Sequence, residues 1–220
     1  FWAAGVSLVL HPNNPHVPIV HMNVRHFALS DGTSWFGGGI DLTPHYVTPA
    51  EATTFHRTWK ATCDRHDCAD YERFKAEADR YFFVPHRNET RGVGGIFFDH
   101  LGRDGASDVQ WERHKALIMD VGATFLPAYL PLVQSNVDRP FTEAERDWQL
   151  HRRGRYVEFN LVWDRGTRFG LVSKGRTESI LMSLPPEVKW TYALQPGAAE
   201  RDTLEWLKQG VDWAGTPTKV

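Results

Sequence analysis

Residues 19–29, Ile19-Val20-His21-Met22-Asn23-Val24-Arg25-His26-Phe27-Ala28-Leu29, decide the fold class. The segment alternates with a period of two. Val20, Met22 and Val24 fall on one side and His21, Asn23 and Arg25 on the other, which is the pattern of a half-buried strand. One side can enter a core while three hydrogen-bonding side chains share a surface. Upstream, Gly5 to Leu10 reads as a short apolar strand ended by His11-Pro12, and parity places Ser7 and His11 on one face of it. Asn13-Asn14-Pro15 is a turn. Downstream of the Asp31-Gly32 turn, Ser34-Trp35-Phe36 resumes a strand that enters a glycine-rich bend, Gly37-Gly38-Gly39-Ile40-Asp41. Strands joined by tight turns predict antiparallel pairing.

Helical signals follow in a block. Thr48-Pro49-Ala50-Glu51 has the form of a capping box with Pro at the first helical position, predicting a helix to about Arg65. A second helix is predicted over Tyr71 to Phe82, then a short strand at Ile96-Phe97-Phe98. Ser107-Asp108-Val109-Gln110 opens a long helix that Pro127 and Pro131 should kink or interrupt. Thr142-Glu143-Ala144-Glu145 opens another. The alternation of Val157, Phe159 and Leu161 with Tyr156, Glu158 and Asn160 predicts a late strand over Arg155 to Asp164. Arg168 to Val172 pairs with it, Lys189 to Tyr192 adds an edge strand, and Asp202 to Lys208 forms a final helix. Hairpins and helices in separate blocks indicate an α+β fold with a mainly antiparallel sheet, in one domain over residues 1–220.

Composition narrows the function. The 220 residues carry 25 basic and 27 acidic groups, a net charge of −2 that excludes a general nucleic-acid or anionic-membrane surface. An anionic ligand therefore needs locally placed arginines. Thirteen Phe, nine Trp and six Tyr exclude disorder and coiled coil. No apolar run reaches the ~20 residues of a membrane span. Cys63 and Cys68 are too close along one segment for a good disulfide and too few for a zinc set, so two free thiols in a reducing compartment are expected. The chain opens at Phe1 without Met, the mark of a truncated or processed start.

HExxH, GxSxG and P-loop signatures are absent, and Gly92-Val93-Gly94-Gly95 lacks the dinucleotide-binding spacing. The strongest local feature is the face His21, Asn23, Arg25 followed by Asp41 on the bend. Arg25 suits a bidentate carboxylate contact, and Asp41 suits N–H donors of a flat ligand admitted by the glycines. An Asx-type turn at Asp41 explains the same pattern, and the pattern alone leans to that reading. Eleven histidines raise a metal hypothesis, with His11, His21, His56 and His86 as candidates whose spacing matches no metal motif. Gly175-Arg176-Thr177-Glu178-Ser179 is either an anion-binding turn or a loop with Thr177 as a helix cap. Arg152-Arg153-Gly154-Arg155 reads as a solvated turn.

Several segments in series resemble one family. Gly5-Val6-Ser7 to His11-Pro12, His21-Met22-Asn23-Val24-Arg25 and Trp35-Phe36-Gly37-Gly38-Gly39-Ile40-Asp41-Leu42-Thr43-Pro44 are similar to oxygen-dependent coproporphyrinogen III oxidase. So are Arg91 to Asp99, Arg153 to Leu161 and Arg176 to Pro185, and the resemblance runs from Phe1 nearly to Trp213. It implies a haem-pathway enzyme on a large antiparallel sheet flanked by helices on both faces. It also implies a homodimer, lacking here the N-terminal part of the family domain. The implied reaction turns two propionates of coproporphyrinogen III into vinyls, giving protoporphyrinogen IX, carbon dioxide and hydrogen peroxide. Molecular oxygen is the implied co-substrate, with no organic cofactor and a divalent metal as an open possibility.

The resemblance also implies roles. Arg25 and Arg176 bind propionates, Asp41 engages the pyrrole N–H groups, and His21 donates a proton. Ser7, Asn23, Val24, Lys174 and Gly175 are further implied substrate contacts. His11, His21, His56 and His86 match a histidine set assigned to a metal. The cytoplasm is the expected compartment, with mitochondria as the alternative. A non-catalytic tetrapyrrole carrier and a histidine-metal dioxygenase are the competing functions.

Overall fold

A computed structural model of the chain describes residues 1–103 and 105–220. Strands β1 (Trp2–Leu10), β2 (Ile19–Ala28), β3 (Ser34–Thr43) and β6 (Gly94–Leu101) form an antiparallel sheet in the order β1-β2-β3-β6. Between β3 and β6 run helices α1 (Pro49–Cys63) and α2 (Tyr71–Tyr81) and a small two-stranded sheet of β4 (Phe83–Val84) and β5 (Glu89–Thr90). Helices α3 (Asp108–Asn136), α4 (Glu143–Val162), α5 (Arg165–Val172), α6 (Thr177–Leu181) and α7 (Ala198–Trp206) complete the described chain. The fold is α+β, as the early strands indicated.

The two faces of the sheet differ as the β2 alternation requires. Val20 and Met22 of β2, Phe36, Ile40 and Leu42 of β3, and Ile96 and Phe98 of β6 are all buried. They pack with Phe55 and Trp59 of α1, Phe74 of α2 and Leu117, Val121 and Phe125 of α3 in one core. The Phe74 and Phe98 rings meet at 4.8 Å. The other face carries His21, Asn23, Arg25, Gly37, Gly39 and Asp41, matched by the register Arg25↔Gly37, Asn23↔Gly39 and His21↔Asp41. Tyr156 and Asn160 of α4, with α5 and α6, stand over this polar face.

Helix starts follow their capping chemistry. Ser107 with Gln110 and Thr142 with Glu145 form reciprocal capping boxes, and Asp70 accepts the Arg73 N–H. At α1 the expected box is replaced: Thr48 makes no side-chain cap, and Glu51 instead accepts from Asn136 Nδ2 at 2.7 Å. Helix α3 continues through Pro127 and Pro131 rather than breaking. Both prolines lie on its exposed side, where a missing N–H is met by solvent and outward curvature is tolerated. By its length and its apolar later part, α3 could cross a membrane. Its inner face, with Leu117, Val121 and Phe125, is instead part of the core.

The late strands are the main correction. Residues 155–162 continue α4, residues 165–172 are α5, and residues 189–192 join no strand. Arg152 and Arg153, read as a solvated turn, are each 3% exposed on α4. In the helix Arg152, Arg153, Tyr156, Phe159 and Asn160 share an inward face. Because much of that face is polar, the usual apolar stripe is missing and a chance alternation of two took its place. The glycine-rich bend is also revised. Gly37, Gly38 and Gly39 lie inside regular β3, and none has a positive φ.

Candidate functional site

Strands β1 and β2 deliver polar side chains to one cavity of about 620 Å3, within the range of small-molecule sites. Its floor is the polar sheet face with Ser7, His21, Asn23, Arg25 and Gly39. Tyr81, Phe97 and Tyr156 supply aromatic walls, and Ser179 and Ile180 of α6 with Met182 just after it close the far side. The Tyr81 and Phe97 rings stack at 4.4 Å. An apolar wall above a polar floor suits a large flat ligand with charged substituents.

At the floor, a chain of charges underlies the cavity, with Arg91 and His21 both bordering it and Asp41 between them. Arg91, 3% exposed, donates from Nη2 to Asp41 Oδ2 at 2.7 Å and from Nη1 to Asn160 Oδ1 at 3.2 Å. Its guanidinium also lies over the rings of Phe82, Tyr156 and Phe159 at 4.3, 4.6 and 4.7 Å. Asp41, 2% exposed, accepts from His21 Nδ1–H on Oδ1 at 2.9 Å. Burial by itself raises the Asp41 carboxyl, but Arg91 and the His21 bond outweigh it and leave it below the usual carboxylate range. The ionised carboxylate therefore holds the proton of His21 on Nδ1 and leaves Nε2 to the cavity. A base oriented in this way is equipped to exchange a proton with a ligand.

On the same strand face, Arg25 donates from Nη1 to Asn23 Oδ1 at 2.7 Å, and its Nη2 forms an ion pair with Asp99 Oδ2 at 2.9 Å. The Arg25 side chain is 32% exposed, so its remaining donors can meet a ligand carboxylate. A Cβ at Gly37 would stand 2.8 Å from Arg25 Nη2, so a side chain here would push the guanidinium from its present seat.

The structure thus gathers Ser7, His21, Asn23, Arg25 and Asp41 at one site, with Asp41 behind His21 rather than on the cavity surface. Val24 turns its side chain to the opposite, apolar face. Lys174, Gly175 and Arg176 form the exposed turn between α5 and α6 and do not line the cavity, and Arg176 itself precedes the first residue of α6.

The four histidines implied as metal ligands are held in separate environments. His56 is buried behind the sheet, accepting from Tyr71 O–H at 2.8 Å and donating to Val93 O at 2.9 Å. His11 Nε2–H donates to Ser183 O at 2.8 Å, while His86 pairs with Glu158 and accepts from Trp163 Nε1 at 3.2 Å. Among the described residues no group of three or more His, Cys, Asp or Glu side chains is placed to hold a metal ion. The set does not fit a divalent cation.

Reading the sequence missed Arg91, Tyr156 and Asn160. Arg91 opens the glycine-rich run Arg91-Gly92-Val93-Gly94-Gly95, and that adjacency was its one available signal. Tyr156 and Asn160 were placed on one strand face, whereas a helical period sets them one turn apart on the same side.

Residues 1–213 match the sequence model of the coproporphyrinogen III oxidase family. The chain belongs to that family, whose members act in porphyrin and haem biosynthesis by decarboxylation.

Proposed function

From that membership we propose that the chain carries out the oxygen-dependent form of the reaction, converting two propionates of coproporphyrinogen III to vinyls with release of carbon dioxide. The observation that carries this reading is the connected series Arg91–Asp41–His21 at a cavity that Arg25 also lines. Each propionate loses carbon dioxide and, from its β-carbon, one hydrogen with two electrons. Molecular oxygen takes up that hydrogen, the electron pair and one further proton, and leaves as hydrogen peroxide. The substrate itself is the reductant, so the chain's residues need only bind, orient and move protons.

Arg25 binds a propionate carboxylate, pairing the guanidinium fork with its two oxygens. Ser7 and Asn23 flank it on the same floor. His21 supplies the proton through Nε2 as the imidazolium, leaving the neutral Nδ1–H form. Asp41, accepting from Nδ1–H, orients the ring and stabilises the imidazolium charge before that transfer. Lys174, Gly175 and Arg176 reach a second carboxylate from the rim, adjoining the α6 residues that line the cavity. A homodimer is supported by the apolar side chains that α4 to α6 leave exposed, among them Val162, Phe169, Val172 and Met182. The cytoplasm is supported by the two free thiols. Burial pushes the Cys63 thiol up to about 12, which makes it inert.

The test is conversion of coproporphyrinogen III by the purified protein in air and under strict anaerobiosis, with and without chelator. Vinyl products in air alone, unaffected by chelation, are expected. Tight binding with no product in either atmosphere would assign the chain to the carriers instead.

A further inference from the structure

We propose that Asp99 is the positioning residue of Arg25: held by a bulge in β6, it sets where the guanidinium stands and thereby the affinity of the cavity for a carboxylate. This inference rests on the reading of Arg25 as the carboxylate-binding group.

The bulge is visible in the register. Gly38 pairs with Phe98 and Phe36 with Leu101, so Asp99 and His100 together stand opposite the single residue Gly37. His100 absorbs the extra residue with φ +57°, a left-handed conformation that a non-glycine residue adopts only when its surroundings impose it. The bulge then secures the carboxylate: the His100 backbone N–H donates to Asp99 Oδ1 at 2.9 Å. The other oxygen, Oδ2, takes Arg25 Nη2 at 2.9 Å. The pair spans β3 from the neighbouring strands and lies directly over Gly37. A Cβ there would be 2.5 Å from Asp99 Oδ1 and 2.9 Å from Arg25 Cζ, so the close seating needs a strand without a side chain at that point.

Asp99 does not line the cavity that Arg25 lines. It borders a second, smaller one of about 480 Å3, which Arg25 does not line. Asp99 therefore acts through Arg25 and not on the ligand. With Asn23 on Nη1 and Asp99 on Nη2, the fork is fixed at both ends before any carboxylate arrives, which removes the ordering cost of a long flexible side chain.

The experiment uses coproporphyrin III, the oxidised tetracarboxylate that cannot turn over, with binding followed by its fluorescence. Arg25→Ala, Asp99→Ala and the double variant are compared with the parent chain, alongside thermal melts and turnover. Asp99→Asn, which keeps an acceptor for the His100 N–H, substitutes if Asp99→Ala does not fold. Asp99→Ala is expected to weaken binding and raise KM about tenfold, with kcat changed less than about twofold, and the double variant to bind no more weakly than Arg25→Ala. Binding by Asp99→Ala as tight as the parent, or losses that multiply in the double variant, would overturn the proposal. Undiminished binding by Arg25→Ala overturns it by removing the role of Arg25. A parent chain that does not bind coproporphyrin at all removes the functional reading itself.

Discussion

Asp41 Oδ2 lies 2.7 Å from Arg91 Nη2, and both side chains are 2% exposed. Two opposite charges at that depth each depend on the other, because neither has water to solvate it. The pair closes one side of Asp41 and leaves its second oxygen to orient His21. This buried contact and the imidazole proposed to handle a proton are thus one connected unit.

Breaking that unit from the inner end is expected to cost stability. Arg91→Met leaves Asp41 as an unpaired buried charge and should destabilise the chain by about 3–5 kcal/mol. Replacing both members, Asp41→Leu with Arg91→Met, should recover much of that loss while leaving the protein inactive. Urea denaturation of the parent, single and double variants checks both statements. A single variant as stable as the parent would contradict them.

Replacing the middle of the unit separates two roles for Asp41. If it orients His21, Asp41→Asn should lower kcat about 10²–10⁴-fold while coproporphyrin binding stays near that of the parent. If it instead touched pyrrole N–H groups, as the family resemblance implies, binding would weaken in parallel. Fluorescence titration beside steady-state turnover, on a variant shown to melt cooperatively, distinguishes the two.

Stability should also fall with pH in a defined window. His45 and His56 are fully buried, and burial, as the largest effect, pushes each down to about 3. Between that value and the ordinary ~6.5 the unfolded chain binds protons that the folded chain refuses. The stability they contribute is therefore present above ~6.5 and lost as pH falls below it, with a limit of about 1.4 kcal/mol per pH unit for each group. Denaturation curves at pH 7, 6 and 5 measure the slope. His56→Gln should flatten it, and an unchanged slope would show that His56 is not the source.

The exposed prolines of α3 offer a gain in stability. Pro131 sits within the helix and cannot donate to the carbonyl four residues earlier, an interior penalty of about 3 kcal/mol in an isolated helix. Pro131→Ala should raise the melting temperature, by less than that full figure because the native curvature already accommodates the ring. A lowered melting temperature would show that the bend itself is needed for core packing.

Much of this protein is legible along the chain. The alternation of Val20, Met22 and Val24 with His21, Asn23 and Arg25 is a local property, since a strand's period of two assigns faces without knowledge of any partner. It predicted both the core side and the floor of the cavity. The helix starts read at Ser107 and Thr142 likewise depend on one turn of chain, and each is met there, closed by a reciprocal capping box. Where a local signal had a competing tertiary use, it failed. Glu51 was expected to cap α1 and was taken by Asn136, distant in sequence.

The remainder belongs to tertiary structure. Residues 155–162 alternate like a strand, yet α4 buries Arg152, Arg153, Tyr156 and Asn160 against polar partners from other elements. A helix whose inward face is charged has no apolar stripe to announce it, and only the assembled interior supplies Glu89 for Arg152 and Arg91 for Asn160. Arg91 is the clearest case. Nothing adjacent to it in sequence requires a buried cation; Asp41, fifty residues earlier, does. Which strand face is chemical can be read along the chain, because side-chain parity is local. Which charges meet there, and which histidines do not, was decided by the packing of α4 over the sheet, since pairing across such distances depends on the whole chain being folded.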